Sequence, residues 1–215
     1  MKSSARSAPS RFLNGVFAPL LLASALLSVG QAAMAQAAAR PVGVRGTITA
    51  VDADSLKVHT NRGEDLSIHL GKDTPVRGVT LAQVSDIKAG SYIGTAATPQ
   101  PDGTLKALEI HVFPPEMAGT GDGHRPWDLE QNSTMTNGSV GSVVAGAGRT
   151  LTVQYKGGEK KVVVPDDVPI VNLVPGDRSL LAPGVKVVLF AKKEADASLT
   201  ALAISAGKNG VTPPM

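Results

Sequence analysis

The side chains best suited to chemistry lie in one Gly-rich stretch near the middle of the chain. Asp122, His124, Arg125, Trp127 and Asp128 follow closely on one another, and Trp127 is the single tryptophan of 215 residues. A polar cluster on a loop held by rigid elements is a common place for binding residues. These five side chains are the candidates for a ligand site, while a structural role of the stretch is the favoured interpretation.

Two alternatives stay open for this stretch. Trp127 could bury surface between two domains while the charged residues cap turns around it, as a lone Trp in a connecting segment often does. His124, Asp122 and Asp128 could instead bind a divalent transition metal, because imidazole and carboxylate groups are its usual ligands. The spacing of a calcium loop is absent, since its remaining carboxylates and terminal Glu are missing.

The other histidines give weaker candidates. His59 and His69 lie on consecutive predicted strands, about 13 Å apart along the ladder, which is too far for one metal ion. We expect His59 to pair across the strands with Asp65. Glu109 and His111 are two residues apart on one face of a predicted strand, and we expect that face to be solvent-exposed.

Catalytic motifs are missing from the sequence. It contains no Gly-x-Ser-x-Gly, no His-Glu-x-x-His and no phosphate-binding loop. The Gly-rich run 141–148 lies between two predicted strands and therefore indicates a hairpin rather than a nucleotide site. We expect a non-catalytic protein without a cofactor, or, under the metal alternative, one with a divalent transition metal.

The N-terminus has the pattern of a cleaved export signal. Three basic residues precede an apolar run over 16–29, and Ala33-Met34-Ala35 is a typical cleavage site. We expect residues 1–35 to be a signal peptide and the mature chain to be periplasmic or secreted. No later stretch is long and apolar enough to predict a transmembrane segment.

The charge balance argues against nucleic-acid binding. The 21 Lys and Arg residues include three in the leader, so 18 remain against 18 Asp and Glu. The mature chain thus lacks the basic excess, and also the aromatic density, of a nucleic-acid-binding barrel. We expect no nucleic-acid partner and instead an envelope protein, an oligosaccharide or a small ligand.

An internal duplication organises the mature chain. Gly90 and Asp102 recur 94 residues later as Gly184 and Asp196. The segment Leu105-Lys-Ala-Leu-Glu-Ile matches Leu199-Thr-Ala-Leu-Ala-Ile at the same shift. Such self-similarity indicates two copies of one structural unit.

Each copy has the pattern of a small all-β unit. Short alternating runs in the order strand, strand, strand, helical turn, strand, strand predict a five-stranded OB-like barrel. The predicted fold is all-β, with two tandem five-stranded OB-like barrels after the signal peptide. Its parts are barrel 44–113, a Gly/Pro-rich segment 114–136, barrel 137–208 and a loose tail 209–215.

The hairpin over residues 55–69 can be predicted down to its register. A three-residue turn Asn61-Arg62-Gly63, with Gly63 in the left-handed conformation, pairs Thr60 with Glu64. Val58 then lies opposite Leu66, so the apolar side chains share one face.

The motif Lys88-Ala-Gly-Ser-Tyr-Ile-Gly followed by Asp102-Gly-Thr-Leu resembles the exported bacterial domain-of-unknown-function family 5666. The first repeat matches better, because the second carries Ala197 where the first has Gly103. The resemblance implies small repeated barrels in the cell envelope without an established activity. Similar proteins sometimes carry a metal-transport label, which favours the metal alternative as an accessory role.

Overall fold

The computed structural model describes residues 41–144 and 149–215, so the predicted leader 1–35 lies outside the described residues. They form thirteen strands and three single-turn 3₁₀ helices. The all-β class is therefore confirmed. No helix in the described ranges is long and apolar enough to cross a membrane.

The strands are β1 (Val42–Val51), β2 (Ser55–Thr60), β3 (Asp65–His69), β4 (Val76–Leu81), β5 (Tyr92–Pro99), β6 (Leu105–Val112), β7 (Gly123–Pro126), β8 (Thr134–Val144), β9 (Arg149–Tyr155), β10 (Gly158–Val164), β11 (Ile170–Pro175), β12 (Lys186–Lys193) and β13 (Leu199–Gly207). The 3₁₀ helices span Val84–Asp86, Pro115–Met117 and Arg178–Leu180.

The β2–β3 hairpin has the predicted register. Val58 pairs with Leu66 and Leu56 with Ile68. The Thr60 N–H donates to the Glu64 carbonyl at 2.8 Å, and Gly63 has a φ of 85°. The turn and the alternation of apolar side chains agree, which is why local sequence was sufficient here.

The strand pairing closes two five-stranded barrels. The first barrel consists of β1, β2, β3, β13 and β12, where the parallel β3–β13 pair and the antiparallel β1–β12 pair complete the ring. The second barrel consists of β5, β6, β10, β9 and β8, and the parallel β6–β10 pair completes it. Each ring encloses its own apolar core.

Two tandem barrels, one per repeat, are not confirmed, because each barrel takes strands from both repeats. Strands β1–β3 come from the first repeat and close with β12 and β13 of the second. The reason is the strand that follows each three-stranded unit. Residues 76–81 and 170–175, where the sequence pattern predicted no strand, form β4 and β11, which pair with each other and lead the chain into the other barrel.

A third core fills the junction between the two barrels. Its buried members are Val79, Tyr92, Phe113, Val171, Leu173, Val188 and Met215. The predicted loose tail contributes to this core, since Met215 is only 6% exposed. The Arg45 Nε–H donates to the Met215 main-chain oxygen at 2.6 Å. The prediction of a loose tail is therefore wrong.

Candidate functional site

The five predicted site residues lie in strand β7 or directly beside it. This strand pairs antiparallel with β8, His124 opposite Thr136 and Arg125 opposite Met135. The Trp127 N–H extends this pairing by donating to the Ser133 carbonyl at 2.8 Å. Because side chains alternate along an extended strand, Arg125 and Trp127 share one face and His124 lies on the other.

Asp122 anchors the start of β7 to the second barrel. Its Oδ1 accepts a hydrogen bond from the Lys156 main-chain N–H at 2.7 Å. Its Oδ2 accepts one from the Tyr92 hydroxyl at 3.4 Å. Burial, together with the Asp122 charge, raises the pKa of Tyr92 to about 12, so the phenol stays protonated as a donor.

His124 lies against the second barrel as well. Its Nδ1 is 2.8 Å from Thr136 Oγ1, and its ring stacks on Tyr155 with 6.2 Å between ring centroids. Burial lowers the pKa of His124, and the nearby charges of Lys160 and Arg125 lower it further. The imidazole is therefore neutral at physiological pH.

Arg125 and Trp127 form a stacked pair. The guanidinium carbon of Arg125 lies 5.6 Å from the centre of the Trp127 ring, a cation–π distance. The Arg125 Nη1–H donates to the Gly121 carbonyl at 2.8 Å. Phe190 of β12 meets Trp127 at 5.9 Å between ring centroids. The indole Nε1–H is buried without a hydrogen-bond partner in the described part of the chain.

Asp128 pairs with Arg45 of β1. Both carboxylate oxygens accept from the guanidinium, at 2.8 and 3.1 Å. The hydrogen bond from Arg45 holds the pKa of Asp128 below its ordinary value. Because Arg45 also binds the main-chain oxygen of Met215, this ion pair joins β1, the segment after β7 and the C-terminal tail.

A groove of about 700 Å³ opens beside Trp127. Its lining residues are Pro41, Gly43, Arg125, Pro126, Trp127, Asp128 and Phe190. Three of the five predicted site residues thus lie in one concave site, formed by β7 and the segment after it, by β1 and by β12. Asp122 and His124 do not line the groove and hold the segment against the second barrel instead.

The predicted metal ligands do not converge. Asp122 binds a main-chain N–H of Lys156, His124 contacts Thr136, and Asp128 pairs with Arg45. Across residues 41–144 and 149–215, no group of three or more His, Asp or Glu side chains is arranged to hold a metal ion.

Glu109 and His111 are buried, so the prediction of a solvent-exposed face is wrong. Glu109 is 0% and His111 is 3% exposed. Glu109 Oε1 accepts a hydrogen bond from the Ala96 N–H at 2.8 Å, beside the β-bulge of the β5–β6 pair. Glu109 Oε2 lies 3.1 Å from His111 Nδ1. Phe113 packs edge-on against the His111 ring at 4.9 Å between ring centroids.

Asn137 extends this buried polar cluster. Its Nδ2–H donates to the Thr120 carbonyl at 3.0 Å, while its Oδ1 is buried without a partner among the described residues. A Cβ on Gly94 would collide with the His111 ring and with Asn137 Oδ1. One signal of this cluster exists in the sequence: the second repeat replaces Glu109 and His111 with Ala203 and Ser205 at the 94-residue shift.

The predicted pair of His59 and Asp65 is confirmed. The two residues face each other across β2 and β3, and His59 Nδ1 is 2.8 Å from Asp65 Oδ1. Both side chains are solvent-exposed, so this pair contributes little to stability.

Comparisons with protein-family models, curated proteins and solved structures give no match to this chain. The resemblance to family 5666 accordingly stays a prediction.

Proposed function

We propose that this chain is an exported, non-catalytic binding protein whose ligand occupies the groove beside Trp127. The observation that supports it is the meeting of Arg125, Trp127 and Asp128 with Phe190 around one cleft. A concave, largely apolar site with a few oriented polar groups is typical of ligand binding. Export is inferred from the leader pattern of residues 1–35.

The charged groups of the groove favour binding over acid–base catalysis. Asp128 is the carboxylate that lines it, and its ion pair with Arg45 keeps its pKa low. A general base works best when its pKa lies near the working pH. Asp128 is therefore suited to hold Arg45 and a ligand in place rather than to exchange protons.

The ligand classes that this groove could accept are those expected from the sequence: an envelope protein, an oligosaccharide or a small molecule. Trp127 and Phe190 would contact its apolar surface, and Arg125 its polar groups. Asp122 and His124 act on the ligand indirectly, by fixing β7 to the second barrel.

Trp127 makes the proposal directly testable. Because it is the single tryptophan, intrinsic fluorescence excited at the indole band reports on the groove alone. The mature protein should be titrated with cell-wall oligosaccharides and with short peptides, and a ligand of the groove should shift the Trp127 emission. Binding measured by calorimetry should fall in Trp127→Ala. Unchanged affinity in that variant, with the melting temperature preserved, would contradict the proposal.

A further inference from the structure

Within residues 41–144 and 149–215, the guanidinium of Arg125 leaves most of its hydrogen-bonding capacity unused. One of its five N–H donors binds the Gly121 carbonyl. None of the ion pairs in the described residues includes Arg125. A half-buried guanidinium without a carboxylate partner is suited to bidentate recognition of an acidic group.

The charges around the groove point the same way. Asp128 is the acidic residue of its lining, and Arg45 already pairs with it at 2.8 Å. The positive charge of Arg125 is therefore not neutralised by a carboxylate of the cleft, whose remaining lining residues are Pro, Gly, Trp and Phe. This arrangement complements a ligand that carries a negative charge next to an apolar group.

Strand β7 offers main-chain groups beside these side chains. Within the described ranges it pairs with β8 alone. The bond from the Trp127 N–H to the Ser133 carbonyl shows that Trp127 turns its main-chain groups toward β8. In an antiparallel pair every second residue turns its main-chain groups toward the partner strand. The main-chain groups of Arg125 therefore also face β8. The N–H and C=O of His124 and the C=O of Pro126 face the open edge.

We propose that the groove binds an acidic peptide in extended conformation, which adds to the open edge of β7, places a carboxylate on Arg125 and packs an apolar side chain against Trp127 and Phe190. This inference rests on the proposed function and names its ligand class. An exposed strand edge recruits extended peptides through main-chain hydrogen bonds, and side-chain pockets select among them.

The spacing of the two groove residues predicts the peptide pattern. Arg125 and Trp127 are two residues apart and on one face of the extended segment. A neighbouring strand also repeats its side chains every second residue. The acidic and the aromatic residue of the peptide should therefore be two positions apart, as Glu-x-Phe or Phe-x-Glu according to strand direction.

The test uses the full mature chain and an array of capped hexapeptides. One set carries Glu-x-Phe or Phe-x-Glu, and the matched set carries Gln in place of Glu. Trp127 emission and calorimetry should show binding to the Glu set that is at least about 10-fold tighter, because a charge-assisted bidentate contact is lost in the Gln set. Two sets of peptides should be N-methylated, one at the even and one at the odd backbone positions. Only the set whose methylated N–H groups face β7 should lose binding.

Charge reversal gives a second readout. The Arg125→Glu variant should no longer bind the Glu peptides and should bind Lys-x-Phe peptides instead. Arg149→Gln changes an exposed cation at the start of β9, and its affinity for each peptide set should equal that of the wild type. Equal binding of the Glu and Gln sets, or no effect of Arg125→Glu in a variant that melts normally, would overturn the proposal.

Oligosaccharides separate this inference from the proposed function. If uronate-containing or neutral oligosaccharides shift Trp127 emission and no peptide of either set does, the acidic-peptide inference fails and the groove remains a binding site. If neither the peptides nor these oligosaccharides shift the emission or give heat on mixing, both proposals fail.

Discussion

Val79 and Leu173 lie opposite each other in the β4–β11 pair, and the two residues are also equivalent positions of the two repeats at the 94-residue shift. An antiparallel pair has a local two-fold axis between facing residues. Because Val79 and Leu173 occupy equivalent positions of the two predicted repeats, this two-fold axis also relates one repeat to the other. The two predicted repeats are therefore arranged as a pseudo-dimer whose halves exchange strands, like a domain-swapped dimer in one chain.

Strand exchange predicts that neither half folds alone as a monomer. Fragments 36–118 and 119–215 should each lack a cooperative thermal transition, because the first barrel needs β12 and β13 and the second needs β5 and β6. Mixing the fragments should restore the β-type circular dichroism signal and a single transition. Sedimentation should show a 1:1 complex, and a half that folds as a monomer would contradict the exchange.

The buried pair of Glu109 and His111 predicts an asymmetric effect of substitution. Glu109→Ala leaves the Ala96 N–H and the His111 imidazole without their partner. The free energy of unfolding should fall by about 3 kcal/mol. The double variant Glu109→Ala/His111→Ser carries the residues of the second repeat, Ala203 and Ser205, and should be less destabilised than Glu109→Ala.

Urea denaturation of both variants measures this difference. Glu159→Ala, at an exposed position of β10, is the control and should change the unfolding free energy by less than about 0.5 kcal/mol. A double variant that is less stable than the single one would mean that His111 has a stabilising partner other than Glu109.

The Asp128–Arg45 pair predicts an acid-sensitive contribution to stability. The pKa of Asp128 is lower in the folded state than its ordinary value of 3.8. At pH values above 3.8 the ion pair therefore makes its full contribution to stability. That contribution is lost as the pH falls through the lower, folded-state pKa. The difference in melting temperature between wild type and Asp128→Asn should be constant above about pH 5 and shrink below it.

The control for this pH series is Asp166→Asn, which removes one exposed carboxylate outside the ion pairs of the described residues. Arg45→Gln should remove the pH dependence that separates wild type from Asp128→Asn. If the difference in melting temperature between wild type and Asp128→Asn grew as the pH fell, the ion pair with Arg45 could not be its cause.

The leader pattern predicts a defined processed product. Expressed in a Gram-negative host, the chain should be recovered from the periplasm or medium with Gln36 as its first residue, because cleavage follows Ala35. Intact-mass spectrometry measures the site. Replacing Ala33 and Ala35 with Arg should retain the precursor, and a full-length product from the unaltered chain would contradict export by this route.

Local features could be predicted from the sequence because they depend on neighbouring residues. The register of the β2–β3 hairpin follows from the parity of its apolar residues and from the left-handed conformation of Gly63. The pair of His59 and Asp65 follows from that register. Likewise, Arg125, Trp127 and Asp128 were predicted as site residues, and the structure brings them into one groove.

The arrangement of the two barrels depends on contacts between distant segments. The sequence pattern predicted no strand at β4 or at β11, and the pairing of these two distant segments with each other decides their conformation. The burial of Glu109 and His111 also depends on the junction. After the bulge in the β5–β6 pair Ile110 fills the barrel core, so Glu109 and His111 on either side of it face outward, and Phe113 of the junction core covers His111.

By itself the sequence determined the all-β class and the hairpin register, since alternation and turn chemistry act over a few residues, and it named three of the residues that line the groove. Tertiary structure alone decided which strands close each barrel and which outward side chains become buried. Those outcomes arise because a strand edge or an outer face accepts whichever distant segment covers it with the most complete hydrogen bonding and packing.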